Sequence, residues 1–187
     1  ILQQEFLGGP VFIGNPNLEL AGLANYDLRV DYRPTAESLV SISAFHKDID
    51  RPIEYIQRVF DFGFTTPVNY PKGRLSGVEF EVRQQLEPLW ERLEGLSFGA
   101  NATLIDSSVR LPQDQVDVFS GLGVDLTSRD ATNAPEYLYN LYFTYQVPDT
   151  GTQLGLFYTV RGDTLVTGDS VGQISNYIPA IYQKAFG

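Results

Sequence analysis

The chain has 187 residues, a length that can bury the core of one domain or at most two. Its hydrophobic fraction of 43% is too high for a disordered chain, and no run approaches the ~20 consecutive apolar residues of a transmembrane helix. A formal net charge of −10 argues against a nucleic-acid partner, and the absence of cysteine removes disulfides and thiolate metal sites.

Tyrosine, phenylalanine and glycine are abundant, with 11, 12 and 17 residues, and this mixture is typical of an all-β protein with many turns. The chain contains no Met, so Ile1 is not a translation start, and the first residues do not resemble a signal peptide. The last residues, "IYQKAFG", stop inside an aromatic stretch. We therefore expect these residues to be an internal part of a longer protein.

The first long predicted strand, 24–33, has one apolar face and one charged face, because successive side chains of a strand point to opposite sides. Its apolar side chains are Tyr26, Leu28, Val30 and Tyr32. Its charged side chains are Asp27, Arg29, Asp31 and Arg33. In a soluble sandwich the apolar face would be core. In an outer-membrane barrel it would face lipid, and the charged face would line the lumen.

Similar alternation predicts more strands along the chain. They cover 38–59, 68–86, 95–109, 136–147 and 152–167, with a last strand starting near Tyr177. About seven strands result, and several reach the ~9–11 residues that a tilted transmembrane strand needs. Phe45 falls on the polar face of its strand and breaks the pattern. No convincing amphipathic helix is found, and 86–95 is predicted to be a turn because it is short and contains Pro88.

The connections between these strands alternate in length. "PTAE", "EPLWERLEG" and "PDTG" are short or medium, whereas the connections between them are longer and irregular. Every second connection of an up-and-down sheet lies at the same end, so one end has tight turns and the other has long loops. Outer-membrane barrels have this asymmetry. Tyr137, Tyr139 and Tyr145 mark the two ends of one apolar face, as aromatic girdles do.

Four segments in this order resemble the C-terminal half of the barrel of TonB-dependent outer-membrane receptors: "GNPNLELAGLANYDLRVDYRP", "LVSISAFHKDIDRPIE", "RLSGVEFEVRQQLE" and "LSFGANATLIDSSV". The positions that match the family's motifs are Asn15 to Leu18, Tyr26 to Leu28, Lys47 to Ile49, and Gly77 to Glu81. "NAPEYLYNLYFTYQ" is similar to the family's strand after a long loop. The chain departs from the family at Glu19-Leu20-Ala21-Gly22, where members usually carry Lys-Pro-Glu.

The resemblance implies that residues 1–187 are part of an antiparallel up-and-down transmembrane β-barrel of about 22 strands. The plug domain and the final barrel strand or strands would lie outside them. It also implies a receptor in the bacterial outer membrane, in contact with lipid, that binds a scarce nutrient, most commonly a ferric siderophore. Transport would use energy transmitted by TonB, which would contact other parts of the protein. No covalent chemistry and no cofactor are expected.

Candidate sites in the sequence are few. His46 is the only histidine, so catalytic triads and histidine-rich metal sites are excluded, and an interfacial role on the apolar face is expected. The carboxylate pairs Glu79/Glu81 and Asp27/Asp31 imitate a glycosidase pair, but neighbouring arginines favour ion pairing. Asp163 and Asp169 lie in acidic loops that lack the spacing of a calcium-binding EF-hand. No catalytic, cofactor-binding or metal-binding residue is therefore predicted.

A ligand would be contacted by the long loops, 57–72 and 109–136, although the sequence does not identify individual contact residues. Two other interpretations remain open. The chain could be a soluble β-sandwich that recognises carbohydrate or protein through its long loops, with the apolar faces sealed in a core. An enzyme on a barrel scaffold is a third possibility, but the sequence offers no constellation of a nucleophile with a histidine.

The barrel interpretation predicts opposite tolerances at two neighbouring positions. Val30→Arg places a charge near the middle of the bilayer and should lower barrel stability by about 2–4 kcal/mol. Arg29→Val changes the lumen face and should cost far less. Denaturant unfolding of the full-length protein from lipid vesicles measures both values, and equal tolerance at the two sites would contradict the assignment of faces.

Overall fold

The computed structural model describes residues 11–59, 63–147, 150–168 and 181–183. The strands are β1 (Val11–Phe12), β2 (Gly22–Tyr32), β3 (Ser38–Asp50), β4 (Ile53–Val59), β5 (Gly63–Asn69), β6 (Lys72–Gln85), β7 (Leu96–Arg110), β8 (Ser128–Arg129), β9 (Tyr137–Gln146), β10 (Gln153–Arg161), β11 (Thr164–Thr167) and β12 (Ile181–Gln183). One α-helix, α1, covers Gln113–Gly121, and a 3₁₀ turn covers Glu91–Leu93. No helix in the described ranges is both long enough and apolar enough to span a membrane.

Six long strands form the main sheet in the order β10-β9-β7-β6-β3-β2, and every neighbouring pair is antiparallel. Each long strand therefore pairs with the next long strand along the chain, and the sheet is open in these residues. Short β8 adds two residues beside the end of β7. The prediction of an all-β, antiparallel, up-and-down sheet is confirmed.

The register aligns apolar side chains of all six long strands on one face of the sheet. One row across five strands consists of Val30, Ile42, Phe80, Ala102 and Tyr139. These faces are open: Leu28 on β2 is 69% exposed and Leu156 on β10 is 68% exposed. A soluble sandwich would bury this surface, and contiguous apolar patches of this extent mark contact with a protein or a membrane.

The other face is polar, and its side chains bind one another from strand to strand. One row consists of Asp31, Ser41, Glu81, Asn101, Asn140 and Thr159. Ser41 Oγ donates to Asp31 at 2.6 Å, and Asn140 Nδ2 donates to Asn101 Oδ1 at 2.7 Å. Arg29 bridges Asp31 at 2.7 Å and Glu81 at 2.8 Å. This network satisfies the polar side chains within the wall of the sheet.

Three aromatic rings on the polar face cover glycines, and they explain the irregularity at Phe45. A Cβ atom on Gly77 would overlap the Phe45 ring, and one on Gly99 would overlap the Tyr142 ring. Phe157 covers Gly155 in its own strand and stacks on Tyr142, with 6.2 Å between ring centroids. Aromatic rings that cover strand glycines shield the bare backbone and help to fix register. Phe45 is thus part of the inner wall, not an error of alternation.

Three predicted strands are wrong in extent. The predicted strand 38–59 contains both β3 and β4, which are separated at Arg51, whose φ is 54°, and at Pro52. β4 and β5 form a hairpin outside the main sheet, where β1 joins β5 in parallel. Predicted strand 68–86 likewise contains the end of this hairpin before β6, and 152–167 is divided into β10 and β11 at Gly162.

The prediction that the chain contains no amphipathic helix is also wrong. α1 lies in the 109–136 connection and begins after Pro112, which favours a helix start. Its buried residues are Gln115 and Phe119, of which only Phe119 is apolar, so its apolar face is narrow and the periodic signal is weak. The predicted turn at 86–95 is confirmed. The strand predicted near Tyr177 lies outside the described residues.

The main hydrophobic cluster lies at the long-loop end and not inside the sheet. Its buried members are Ile56, Tyr70, Val109, Leu111 and Phe119. Val109 projects from the polar face of β7, since it has the same parity as Asn101. The long connections therefore pack over the inner side of the sheet at one end.

The glycine–aromatic contacts predict that Gly99→Ala in the full-length protein lowers the free energy of unfolding by about 1–3 kcal/mol, because the new methyl group overlaps the Tyr142 ring. Gly14→Ala is the matched control, since nothing lies within 4 Å of its Cβ position. Urea unfolding measures both. The double variant Gly99→Ala/Tyr142→Ala should lose less free energy of unfolding than the two single variants lose together. Strictly additive losses would contradict the proposed contact.

Candidate functional site

The long connections form a compact structure at one end of the sheet, which we call the loop cap. It comprises the described residues of 51–71, together with 111–136 and 162–168. The cap includes the β4–β5 hairpin, α1, β8 and β11. It contains most of the two segments that the sequence predicted to contact a ligand, 57–72 and 109–136.

A buried ion pair joins two connections of the loop cap. The Arg129 Nη1 and Glu54 Oε2 atoms are 2.9 Å apart, and the two side chains are only 12% and 5% exposed. Glu54 Oε2 also accepts a hydrogen bond from the Thr132 backbone N–H at 2.9 Å. The Arg129 guanidinium lies over the Tyr70 ring, 4.8 Å from its centroid. These contacts compensate much of the cost of burying the two charges.

The strand pairing explains why Arg129 points into the cap. β8 pairs Arg129 with Val109, so its side chain lies on the inner face beside the hydrophobic cluster. Arg129 Nη1 also donates to the Asp130 carbonyl oxygen at 2.7 Å, while Nε and Nη2 are buried without a hydrogen-bond partner. Sequence patterns could not reveal this pair, since Glu54 and Arg129 are 75 residues apart.

Further hydrogen bonds connect the remaining parts of the loop cap. Tyr70 Oη donates to Gln115 Oε1 of α1 at 3.1 Å. The backbone of Gly168 receives a bond from Gln57 N–H at 3.0 Å and donates to the Tyr55 carbonyl at 2.8 Å. Three different connections are thereby held in one arrangement. The loop cap is thus one hydrogen-bonded unit and not a set of independent loops.

A cavity of about 230 Å³ opens where the cap meets β7. Four carboxylates contribute to its lining: Asp106, Asp130, Glu136 and Asp163. Arg74 Nη2 lies 3.9 Å from Asp106 Oδ2. In the described part of the chain no three metal-ligating side chains are grouped to hold an ion. The lining of this cavity is therefore rich in carboxylates. Asp163 lies here, and Asp169 lies outside the described residues.

In the structure, the two members of each carboxylate pair that the sequence singled out bind different partners. Glu79 accepts a hydrogen bond from Ser43 at 3.2 Å, while Glu81 is bound to Arg29 and Arg83. Asp27 accepts a hydrogen bond from Asn25 at 2.7 Å. For Glu81 and Asp31 the partner is an arginine, as the sequence predicted.

His46 lies on the apolar face, at its loop end. Its ring stacks on Tyr26 with 6.4 Å between centroids, and Nδ1 is 2.7 Å from Ser76 Oγ. This position is the one that the sequence predicted. It places an aromatic pair at the border of the apolar face.

Comparison with known proteins identifies one family. The model of the family described as "TonB dependent receptor-like, beta-barrel" matches residues 2–186 of the chain. No curated protein and no solved structure matches the chain. The family match covers almost all residues and agrees with the antiparallel sheet and its two contrasting faces.

The buried ion pair predicts that Glu54→Ala loosens the loop cap while the main sheet stays intact. Removing one partner of a buried pair costs about 3–5 kcal/mol, which corresponds to at least about 100-fold faster hydrogen exchange if the hairpin opens locally. Hydrogen exchange of the full-length protein, compared over 53–57 and over β6, tests this. Glu91→Ala, at an exposed site at the other end, is the control. Unchanged exchange in the hairpin would show that the pair does not hold it.

Proposed function

We propose, from the premise that the chain belongs to the TonB-dependent receptor β-barrel family, that it is part of an outer-membrane receptor that imports a scarce nutrient. In this proposal residues 1–187 are a section of a larger barrel, and the plug domain and the closing strands lie elsewhere in the protein. TonB supplies energy through those other parts. The protein acts by binding and transport, without covalent chemistry.

The observation that carries this proposal is the contrast between the two faces of the main sheet. The apolar side chains of β9 extend from Tyr137 to Tyr145, and eight residues at ~3.3 Å span roughly 26 Å along the strand. After a tilt of ~40° this is about 20 Å along the membrane normal, which approaches the ~25 Å apolar band of outer-membrane barrels. The polar face would line a wet lumen.

Aromatic side chains at both borders support the same placement. Tyr137 and Tyr139 stack at the loop end, with 5.0 Å between ring centroids. At the opposite end Trp90 is 57% exposed in the β6–β7 turn, and the Arg92 guanidinium lies 5.6 Å from its ring centroid. Trp, Tyr and Arg at such borders anchor a protein at the membrane–water interface. The short turns would face the periplasm and the loop cap the exterior.

The cargo class that we propose is a ferric siderophore. This part of the proposal is supported by the resemblance to receptors of this kind, in which iron complexes are the commonest cargo. The loop cap offers a surface of hydrogen-bonded connections, with polar groups and aromatic rings, at the proposed entrance of the lumen. Such a surface suits capture of a large polar complex better than an isolated flexible loop would.

Cell fractionation tests the membrane placement. The full-length protein should be recovered in the outer membrane and should migrate as a heat-modifiable species in gels. A protein that is soluble without detergent would contradict the proposal. That outcome would favour the β-sandwich that binds carbohydrate or protein.

The role of the loop cap is tested by replacing 112–126, which contains α1, with a short Gly-Ser linker. The variant should remain heat-modifiable in the outer membrane, because the six long strands are unchanged. TonB-dependent uptake of radioiron-labelled siderophores should fall to background, because the cap surface is lost. The control is the same replacement at 87–92 in the β6–β7 turn, which should leave uptake unchanged. Equal uptake by both variants would exclude the cap as the capture surface.

A further inference from the structure

The β4–β5 hairpin continues the β3–β6 pair past a corner. The last pair of the main sheet and the first pair of the hairpin share one register, so the two strands stay side by side through the interruption. Pro52 and Pro71 lie in the corner, and neither has an N–H group to donate to the ladder. The direction of the hairpin relative to the main sheet is therefore set at this corner.

Arg51 gives the corner its bend. Its φ of 54° lies in the left-handed region, which costs free energy for a residue that carries a Cβ atom. The apolar alternation of the sequence continues through this position and predicts one strand over 38–59. The bend is thus not the local preference of the chain, and contacts from elsewhere must hold it.

The side-chain amide of Asn69 supplies such contacts. Its Nδ2 atom donates to the Arg51 carbonyl oxygen at 2.9 Å and to the Glu19 carbonyl oxygen at 2.9 Å. Its Oδ1 atom accepts a hydrogen bond from the Glu19 N–H at 2.8 Å. The Arg51 guanidinium also binds the Glu19 carboxylate. One amide therefore uses both of its donor hydrogens and its acceptor to join the hairpin, the corner and the segment before β2.

The motif from Asn15 to Leu18 fastens that same segment to the hairpin. Asn15 Nδ2 donates to the Pro67 carbonyl oxygen at 3.0 Å, and the Ile13 N–H donates to the Thr65 carbonyl oxygen at 2.9 Å. Just before it, β1 pairs in parallel with β5. The segment thus follows β5 to its end, where Asn69 binds both the segment and the corner.

We propose that Asn69 is the positioning residue of the loop cap. Its amide holds Arg51 in the bent conformation and ties the hairpin to the segment that leads into β2. The hairpin thereby keeps the orientation in which the cap presents its capture surface, a role that rests on the proposed function. Asn69 acts through the corner and not by touching cargo. Its loss lowers the fraction of receptors with a correctly placed cap, and the apparent affinity falls by that fraction.

The test uses Asn69→Ala in the full-length receptor, with radioiron complexes of a trihydroxamate and of a tricatecholate siderophore as probes. The concentration that gives half-maximal TonB-dependent uptake should rise about 10-fold, while maximal uptake changes by less than about 2-fold. Hydrogen exchange should accelerate in β4 and β5 and stay unchanged in β3 and β6. Asn17→Ala is the matched control, because the Asn17 side chain is exposed and forms no hydrogen bond with the other described residues.

A second substitution separates positioning from general stability. Glycine adopts a positive φ without the cost that Arg51 bears. Arg51→Gly should therefore restore most of the affinity and of the hydrogen-exchange protection to Asn69→Ala. It should restore neither to Glu54→Ala, because that variant loosens the hairpin at a different contact.

A higher half-saturating concentration in Asn69→Ala, recovered by Arg51→Gly, supports the assignment. Wild-type affinity in Asn69→Ala overturns it, and so does a fall in maximal uptake that Arg51→Gly does not reverse. Every variant is checked for heat-modifiable migration from the outer membrane. A wild-type receptor that is soluble overturns the proposed function as well. If a folded wild type transports neither complex, the proposed cargo is wrong, and unchanged hydrogen exchange in the hairpin of Asn69→Ala still overturns the role of Asn69.

Discussion

The structure depends on one constraint, the preservation of side-chain parity from strand to strand. A shift of one residue in any pairing would exchange the apolar and polar faces of the shifted strand. In this sheet five antiparallel pairings keep the same parity without interruption over their described lengths. The apolar rows, the Arg29 network and the glycine–aromatic contacts all follow from this register. Each of these contacts would be lost if a strand shifted by one residue, so each disfavours a change of register.

The two faces are stabilised by different means. On the outward face there is little packing among the described residues, so its free energy depends on the medium that covers it, which is lipid in the proposed membrane placement. On the inward face, side chains bind one another through Ser41, Asn101 and Asn140, and aromatic rings cover glycines. The inner wall is therefore preorganised by its own side-chain contacts, while the outer wall has few such contacts.

Periodicity predicted the main sheet well, because alternation is a local property of the chain. It gave the six long strands, the position of His46 and the difference between short turns and long loops. It failed where a local break or a distant partner decides the structure. Arg51 and Pro52 end β3 although the apolar pattern continues, and α1 has too narrow an apolar face to be recognised. The Glu54–Arg129 pair had no signal at all, because it joins residues that only the fold brings together.

Val109 has a consequence for the order of assembly. It is a residue of a long strand, yet its side chain is part of the hydrophobic cluster beneath the loop cap. If β7 paired one residue out of step, Val109 would turn outward and Arg110 would enter the cluster. The cap would then lose an apolar member and acquire a charge in its interior. Only a sheet in the correct register can therefore complete the loop cap. A folded loop cap thus indicates that β7 beneath it is paired in register.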